Sequence, residues 1–241
     1  MKLLYFVPGH MTGSGPPGQA EFNRRRQLLQ KVALPGMEVE IEEYADGPAS
    51  IESAAEEILA ARGVLQAAVR AEKAGFDAMV VGCYSDPGVA GARELVRMLV
   101  VGPAESSLLQ ALLVGRRFAV ITTLKTSIPA MREQVERMGL AHRCASVRAV
   151  DVPVLSVRSE ADRVIAEFVR EANRAVEEDG ADVVVPGCMS LAFLFLEQPP
   201  RLEVPMVNPL QAALTSAYSL WVQGLGHSRR AYPQPPKAVP V

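Results

Sequence analysis

The segments EKAGFDAMVVGCYS (residues 72 to 85) and EEDGADVVVPGCMS (residues 177 to 190) align without a gap, are identical at seven of fourteen positions, and lie 105 residues apart. Internal self-similarity constrains a fold more than any single motif. Both copies run in the same order: helix end, glycine, aspartate, short apolar strand, Gly-Cys, then a hydroxyl residue. A second echo follows, with Gly102-Pro103 after one strand and Asn208-Pro209 after the other. Chance similarity between two helix-to-strand junctions accounts for a glycine and an apolar run, but not for a paired Gly-Cys-x-Ser. The half-chain is read as duplicated.

The rest of the chain suits that reading. Short apolar runs, LLYFV (3 to 7), VEIEEY (39 to 44), AMVVGC (78 to 83), FAVITT (118 to 123), SVRAV (146 to 150), DVVVPG (182 to 187) and VPMVN (204 to 208), alternate with longer helical patterns. This alternation predicts an α/β fold with mainly parallel strands. Ile51 to Lys73 and Ser159 to Glu178 carry apolar residues at helical spacing, with Ser159, three residues before Asp162, as a start signal. The expected architecture is two αβ lobes related by a pseudo-twofold axis, each with a mainly parallel sheet, and a cleft between them. Residues 1–102 with 210–241 form the first lobe and its C-terminal helix and tail; residues 103–209 form the second. The tail YPQPPKAVPV is proline-rich, reads as extended, and is left out of the core.

Charge and hydropathy exclude several function classes. A formal charge of -2 leaves no cationic excess to neutralise nucleic-acid phosphates or anionic lipid. The first residues, MKLLYF, are too short an apolar run for a signal-peptide core, and no later segment reaches the ~20 apolar residues of a membrane helix. A cytoplasmic protein with a small-molecule substrate is expected. The three cysteines, Cys83, Cys144 and Cys188, are odd in number and widely spaced, which argues for thiols and against a disulfide framework. His10, His142 and His227 lack metal-ligand spacing, so no metal site is expected.

In an open parallel sheet, ligands bind outside the carboxyl ends of the strands, and Cys83 and Cys188 fall at two such ends. Inverting a carbon centre requires a proton taken from one face and another delivered to the opposite face. A duplicated cysteine supplies that pair. A cysteine near its ordinary pKa of about 8.5 is partly ionised at neutral pH and is tuned by backbone N–H groups or a helix end, so one sulfur can take a proton while the other gives one. Backbone around Tyr84-Ser85 and Met189-Ser190, with the hydroxyls of Ser85, Ser190, Thr122 and Thr123, is placed to stabilise the enolate that forms. A single cysteine at a strand end more often serves as a small core residue. That is the reading for Cys144, which has no counterpart in the repeat.

The strand-end segments PGHM, CYSDP, TTLKTS and CMSLA hold only Lys125 and Asp86 as fixed charges. They suit a neutral ring better than an amino-acid zwitterion, and Leu191, Phe193 and Val89 are candidates either to line a pocket for its substituent or to pack the core. Other signals are weaker. Gly13, Gly15 and Gly18 fit no phosphate-binding order and read as a flexible loop. Glu105 in GPAESS reads as helix capping, and Arg24 to Arg26 as a solvated helix face.

The stretches VVGCYSDPGVAGARE, VVGPAESS, GRRFAVITT, GLAHRCASVRAVDVPVL, EDGADVVVPGCMS, VPMVNP and GLGHSRRAYPQPPK resemble hydantoin and allantoin racemases, within the aspartate/glutamate/hydantoin racemase group, along essentially the whole chain. The resemblance implies that Cys83 and Cys188 are the two catalytic acid/bases. It places Thr122, Thr123 and the residues after each cysteine at the substrate, and further implies two αβ lobes, no cofactor and a homo-oligomer. Pro8 and Gly9, at the end of the first strand, join the substrate-binding set. Two departures stand out. Pro8-Gly9-His10 replaces a common Asn-Pro-Asn, and Met189-Ser190-Leu191 replaces a small residue, Gly and Met. Alternatives are a decarboxylase, a cis/trans isomerase or an aspartate or glutamate racemase on the same fold, and, outside enzymes, a two-lobed small-molecule binding protein.

Overall fold

The computed structural model describes residues 1–240. In chain order the elements are β1 (Lys2–Val7), α1 (Pro16–Val32), β2 (Glu38–Glu43), α2 (Ala54–Lys73), β3 (Ala78–Val81), α3 (Val89–Leu95), β4 (Leu99–Val101) and α4 (Pro103–Val114). The second half runs β5 (Phe118–Thr122), α5 (Ile128–Arg137), β6 (Cys144–Ala149), α6 (Ala161–Glu177), β7 (Val183–Pro186), α7 (Met189–Glu197) and α8 (Pro209–Val222). The chain divides into two compact units. One holds Met1–Ile51, Ala55–Pro103 and the chain from Ala213 onward; the other holds Glu52–Ala54 and Ala104–Ala212.

Each unit is built on a parallel sheet, which makes the protein an α/β fold with two such sheets. In the first unit the strand order is β2-β1-β3-β4, and in the second β6-β5-β7. Central strands of parallel sheets are covered on both faces and read as unbroken apolar runs. Leu3 to Val7 of β1 and Phe118 to Ile121 of β5 are buried accordingly. The edge strand β2 alternates instead, with Ile41 buried and Glu38, Glu40 and Glu42 exposed, a pattern that blunts edge-to-edge association. Against the first sheet α2 buries a face of small residues, Ala60, Gly63, Val64, Ala67, Ala68 and Ala71. Gly63 is required there, because a Cβ would come within 2.4 Å of the Tyr44 ring.

The repeat has a physical meaning at each position. Gly75 and Gly180 adopt φ of 78° and 71° just past α2 and α6, the left-handed turn that ends a helix. Asp77 accepts the backbone N–H of Lys2 at 2.7 Å, and Asp182 accepts those of Arg116 and Arg117 at 2.9 Å. Each aspartate thus ties the start of a repeated strand to the start of its central neighbour. Gly82 donates to the Phe6 carbonyl and Gly187 to the Ile121 carbonyl, at 2.7 and 2.8 Å. Side chains at these glycines would strike the Phe6 carbonyl at 2.9 Å and Val120 Cγ1 at 2.7 Å. The cysteine that follows is therefore the first repeated side chain beyond the sheet.

Several sequence expectations need correction. VPMVN forms only an isolated bridge, Met206 to Val184, where a strand was expected. The short β4 takes the equivalent place in the first half, through Met79 and Val100. Ser159 does not cap α6; its hydroxyl donates to the Ser156 carbonyl at 3.1 Å, and the helix starts at Ala161. The glycine-rich stretch is no loose loop: Thr12–Ser14 form a 3₁₀ turn, and Pro16 and Pro17 open α1, where a missing N–H costs nothing. Within the arginine run, Arg25 is 6% exposed, because Glu21 one turn earlier accepts its Nε at 2.8 Å.

Candidate functional site

In the first unit the segment after β3 leaves the sheet at Gly82 and turns before α3. Cys83 is half-buried, with Sγ 3.4 Å from Ser85 Oγ. Tyr84 is 3% exposed and packs inward. Asp86 closes the turn in the left-handed region, φ 54°, an uncommon conformation for a residue with a side chain, and its N–H donates to the Cys83 carbonyl at 3.2 Å. The neighbouring strand β1 pairs Phe6 with Val81, so Pro8 and Cys83 stand at adjacent strand ends. Pro8 and Gly9 are buried. Gly9 lies so close to the Pro48 carbonyl that a Cβ would sit 2.6 Å from it, and the His10 N–H donates to that same carbonyl at 2.9 Å.

A polar cluster at this end escaped sequence reasoning. The Glu43 carboxylate, closing β2, accepts the Thr12 N–H at 3.0 Å and the Thr12 hydroxyl, and His10 Nε2 lies 3.8 Å from it. Only strand pairing brings positions 10, 12 and 43 together; nothing in their spacing advertises it.

In the second unit Cys188 is the N-cap residue of α7, half-buried, with extended backbone at φ -157° and ψ 139°. The two copies part here: after Cys188 the helix begins at once, whereas seven residues, Gly82 to Gly88, separate the end of β3 from the helical Val89. Thr122 and Thr123, at the end of β5, are 1% and 3% exposed. The Thr122 hydroxyl donates to the Gly187 carbonyl at 3.3 Å. Their carbonyls accept from Val150 and Val152, both at 3.0 Å, anchoring the segment after β6. Met189 is 3% exposed, while Ser190 is half-buried. Asn208 braces α7, donating from Nδ2 to the Ala192 carbonyl at 2.9 Å and accepting the Leu210 N–H at 3.0 Å.

The expected site residues thus fall into two sets at carboxyl strand ends, Pro8, Gly9, Cys83, Tyr84 and Ser85 in one unit, and Thr122, Thr123, Cys188, Met189 and Ser190 in the other. Val89, Leu191 and Phe193 pack in the buried core, at 5%, 0% and 0% exposure, which settles between core and pocket roles in favour of the core. Cys144 sits at the amino end of β6, and burial pushes its thiol up to about 11. Lys125 is paired with Asp151 at 2.8 Å on the surface, and that pairing holds the Asp151 carboxyl below its ordinary value. No helix among the described residues is long and apolar enough to cross a membrane.

A model of the family described as Asp/Glu/Hydantoin racemase matches residues 18–217. A hydantoin racemase of Rhizobium meliloti is 35% identical over 192 residues, covering 78% of this chain and 80% of its own. Among solved structures, an allantoin racemase from Pseudomonas fluorescens is similar with a TM-score of 0.88 and 31% identity, both chains covered completely. One from Klebsiella pneumoniae has a TM-score of 0.88 and 29% identity, covering 99% of this chain and 95% of that one.

Proposed function

From the premise that the chain belongs to the Asp/Glu/hydantoin racemase family and is an isomerase of the racemase class, we propose that it inverts the C5 centre of 5-substituted hydantoins or a related cyclic ureide such as allantoin. Cys83 and Cys188 are the acid/base pair of this reading. The observation that carries it is their equivalence: each follows a glycine pinned to the neighbouring strand, at the carboxyl end of β3 or β7, 105 residues apart.

One thiolate removes the C5 proton, and the electron pair moves onto the C4 oxygen as an enolate. The other thiol returns a proton to the opposite face of C5 as the carbonyl re-forms. The product leaves with the protonation of the two sulfurs exchanged, ready for the reverse reaction. The mechanism needs the sulfurs on opposite faces of the substrate carbon. The C5 proton is acidified by the adjacent carbonyl, so neither metal nor pyridoxal is required by the chemistry. Backbone amides of Tyr84, Ser85, Met189 and Ser190 and the Ser85 and Ser190 hydroxyls are the donors assigned to the enolate and ring carbonyls. Thr122 is a positioning group in this scheme, since its hydroxyl is engaged by Gly187.

A neutral ring is favoured over aspartate or glutamate because a second carboxylate needs a cation, and the strand-end cation Lys125 is already paired with Asp151. A homo-oligomer is part of the reading; Leu109 and Leu113, one turn apart on α4 and 56% and 85% exposed, suit a subunit contact. The test is polarimetry in deuterium oxide with both enantiomers of 5-benzylhydantoin, 5-methylthioethylhydantoin and allantoin. Loss of rotation with deuterium at C5 is expected. Inertness toward all of them, alongside racemisation of free glutamate or aspartate, overturns the substrate assignment.

A further inference from the structure

The C-terminal segment after α8 is built as a strap. It leaves the helix through Gly224 at φ 66°, with the Leu225 N–H bonded to the Leu220 carbonyl and the Gly224 N–H to the Trp221 carbonyl, both at 3.0 Å. That pattern ends the helix cleanly and redirects the chain. The segment then crosses the open edge of the first sheet. Val100, in the edge strand β4, turns its N–H and carbonyl outward. His227 Nε2 accepts that N–H at 2.9 Å, and Arg93 donates to that carbonyl from Nε at 2.9 Å and from a terminal nitrogen at 2.8 Å.

Arg229 holds the neighbouring helix. Its guanidinium donates to the carbonyls of Arg93 at 3.0 Å, Glu94 at 3.3 Å, and Val96, the last carbonyls of α3, where a cation is favoured. Tyr232 completes the strap. Its hydroxyl accepts from Arg93 at 3.1 Å, its ring lies 5.3 Å from the Arg93 guanidinium carbon, and His227 stacks edge-on to it at 5.8 Å. A turn closed by Ser228, whose carbonyl accepts from Ala231 and Tyr232, keeps these residues in register.

Both elements under the strap lead to Cys83. α3 begins directly after the Cys83 turn, where the Val89 N–H bonds to the Asp86 carbonyl at 3.3 Å. β4 runs into Gly102, which packs against the Asp86 side chain so tightly that a Cβ would fall 2.3 Å from its Oδ2. Asp86, strained in the left-handed region, is thus held between the two elements that the strap secures. Strained residues persist only where their surroundings over-determine them. We propose that the segment from Leu225 to Tyr232 is a positioning strap for the Cys83 turn, with Arg229 and Arg93 as positioning residues that act through α3, β4 and Asp86.

The inference takes its functional weight from the proposed role of Cys83, but its test needs no substrate and stands whatever reaction the thiols serve. The full-length protein and its Arg229→Ala variant are treated with iodoacetamide, and the alkylation rates of Cys83 and Cys188 are read separately by peptide mass spectrometry. Arg229→Ala should accelerate Cys83 roughly two- to thirtyfold, the range typical of coupling through a packed network, while Cys188 keeps its rate. Tyr232→Phe, which removes one hydrogen bond to Arg93 and spares the ring, should show the same selectivity in smaller measure and replaces Arg229→Ala if that variant fails to fold. Equal acceleration of both cysteines would mean general loosening and overturns the proposal. So would an unchanged Cys83 rate, including the case in which backbone hydrogen exchange at Val100 rises.

Discussion

The hydroxyl of Thr122, at the end of the central strand β5, donates to the carbonyl of Gly187, the residue directly before Cys188, at 3.3 Å. With Thr122 1% exposed, water cannot replace the donor. Thr122→Val preserves shape and removes it, which should lower stability by about 1 kcal/mol in urea titrations. In the proposed reaction kcat should fall by roughly tenfold or more with KM little changed, because a small displacement of Cys188 affects alignment more than binding. An unchanged kcat would remove Thr122 from the site.

If stereoinversion needs a group on each face, Cys83→Ala and Cys188→Ala must each abolish racemisation. Each variant should still exchange the C5 proton of one enantiomer with solvent, and the two variants should prefer opposite enantiomers. Chiral chromatography alongside deuterium incorporation reads both effects. Full racemase activity in either single variant would end the two-thiol mechanism.

Cys144 is expected to be a bystander. Burial pushes its thiol up to about 11, so it remains protonated at neutral pH and should react with iodoacetamide far more slowly than a thiol ionising in the ordinary range. The sign for stability follows: a thiol whose folded value is raised contributes stability below its ordinary range, and that contribution is lost as pH rises towards 11. Cys144→Ser should retain activity, and its thermal midpoint should lose less than the parent's between pH 9 and 11, the interval in which the unfolded thiol ionises while the native one stays protonated.

The ion cluster between Arg148 of β6 and the carboxylates at the end of α6 gives a pH signature of the opposite sign. Arg148 Nε contacts Asp179 at 2.7 Å, and its terminal nitrogens contact Glu178 at 2.7 Å and Glu171 at 3.3 Å. Hydrogen bonding from Arg148 holds the Asp179 carboxyl below its ordinary value, and Arg174, then Arg148, does the same for Glu178. Such depressed groups contribute stability above the ordinary carboxylate range and lose it as pH falls into their depressed range. Arg148→Met leaves the largely buried Glu171 to Arg170 at 3.4 Å and Arg174 at 3.3 Å, and should cost about 1 kcal/mol at neutral pH. The gap between variant and parent should narrow below about pH 4, as the carboxylates take up protons. A gap independent of pH would show that packing of the arginine stem, not its charge, matters.

Much of the fold is legible in the sequence because its determinants are local. Unbroken apolar runs such as Leu3 to Val7 specify buried parallel strands, and the repeated glycine and aspartate, Gly75 with Gly180 and Asp77 with Asp182, perform the same backbone tasks in both halves. The Gly-Cys pair at each strand end follows from the same alignment, since a duplicated segment carries its strand register with it. Other features are decided only when distant segments meet. β4 exists because Val100 pairs with Met79 while His227 and Arg93 satisfy its outer edge. Leu191 and Phe193 belong to the core by packing, a choice their apolar character leaves open. Periodicity reports how a segment meets water. Which partner satisfies an edge carbonyl or an outward N–H depends on where the chain folds back, from Arg93 beside Val100 to His227, 127 positions away, so only the tertiary structure settles it.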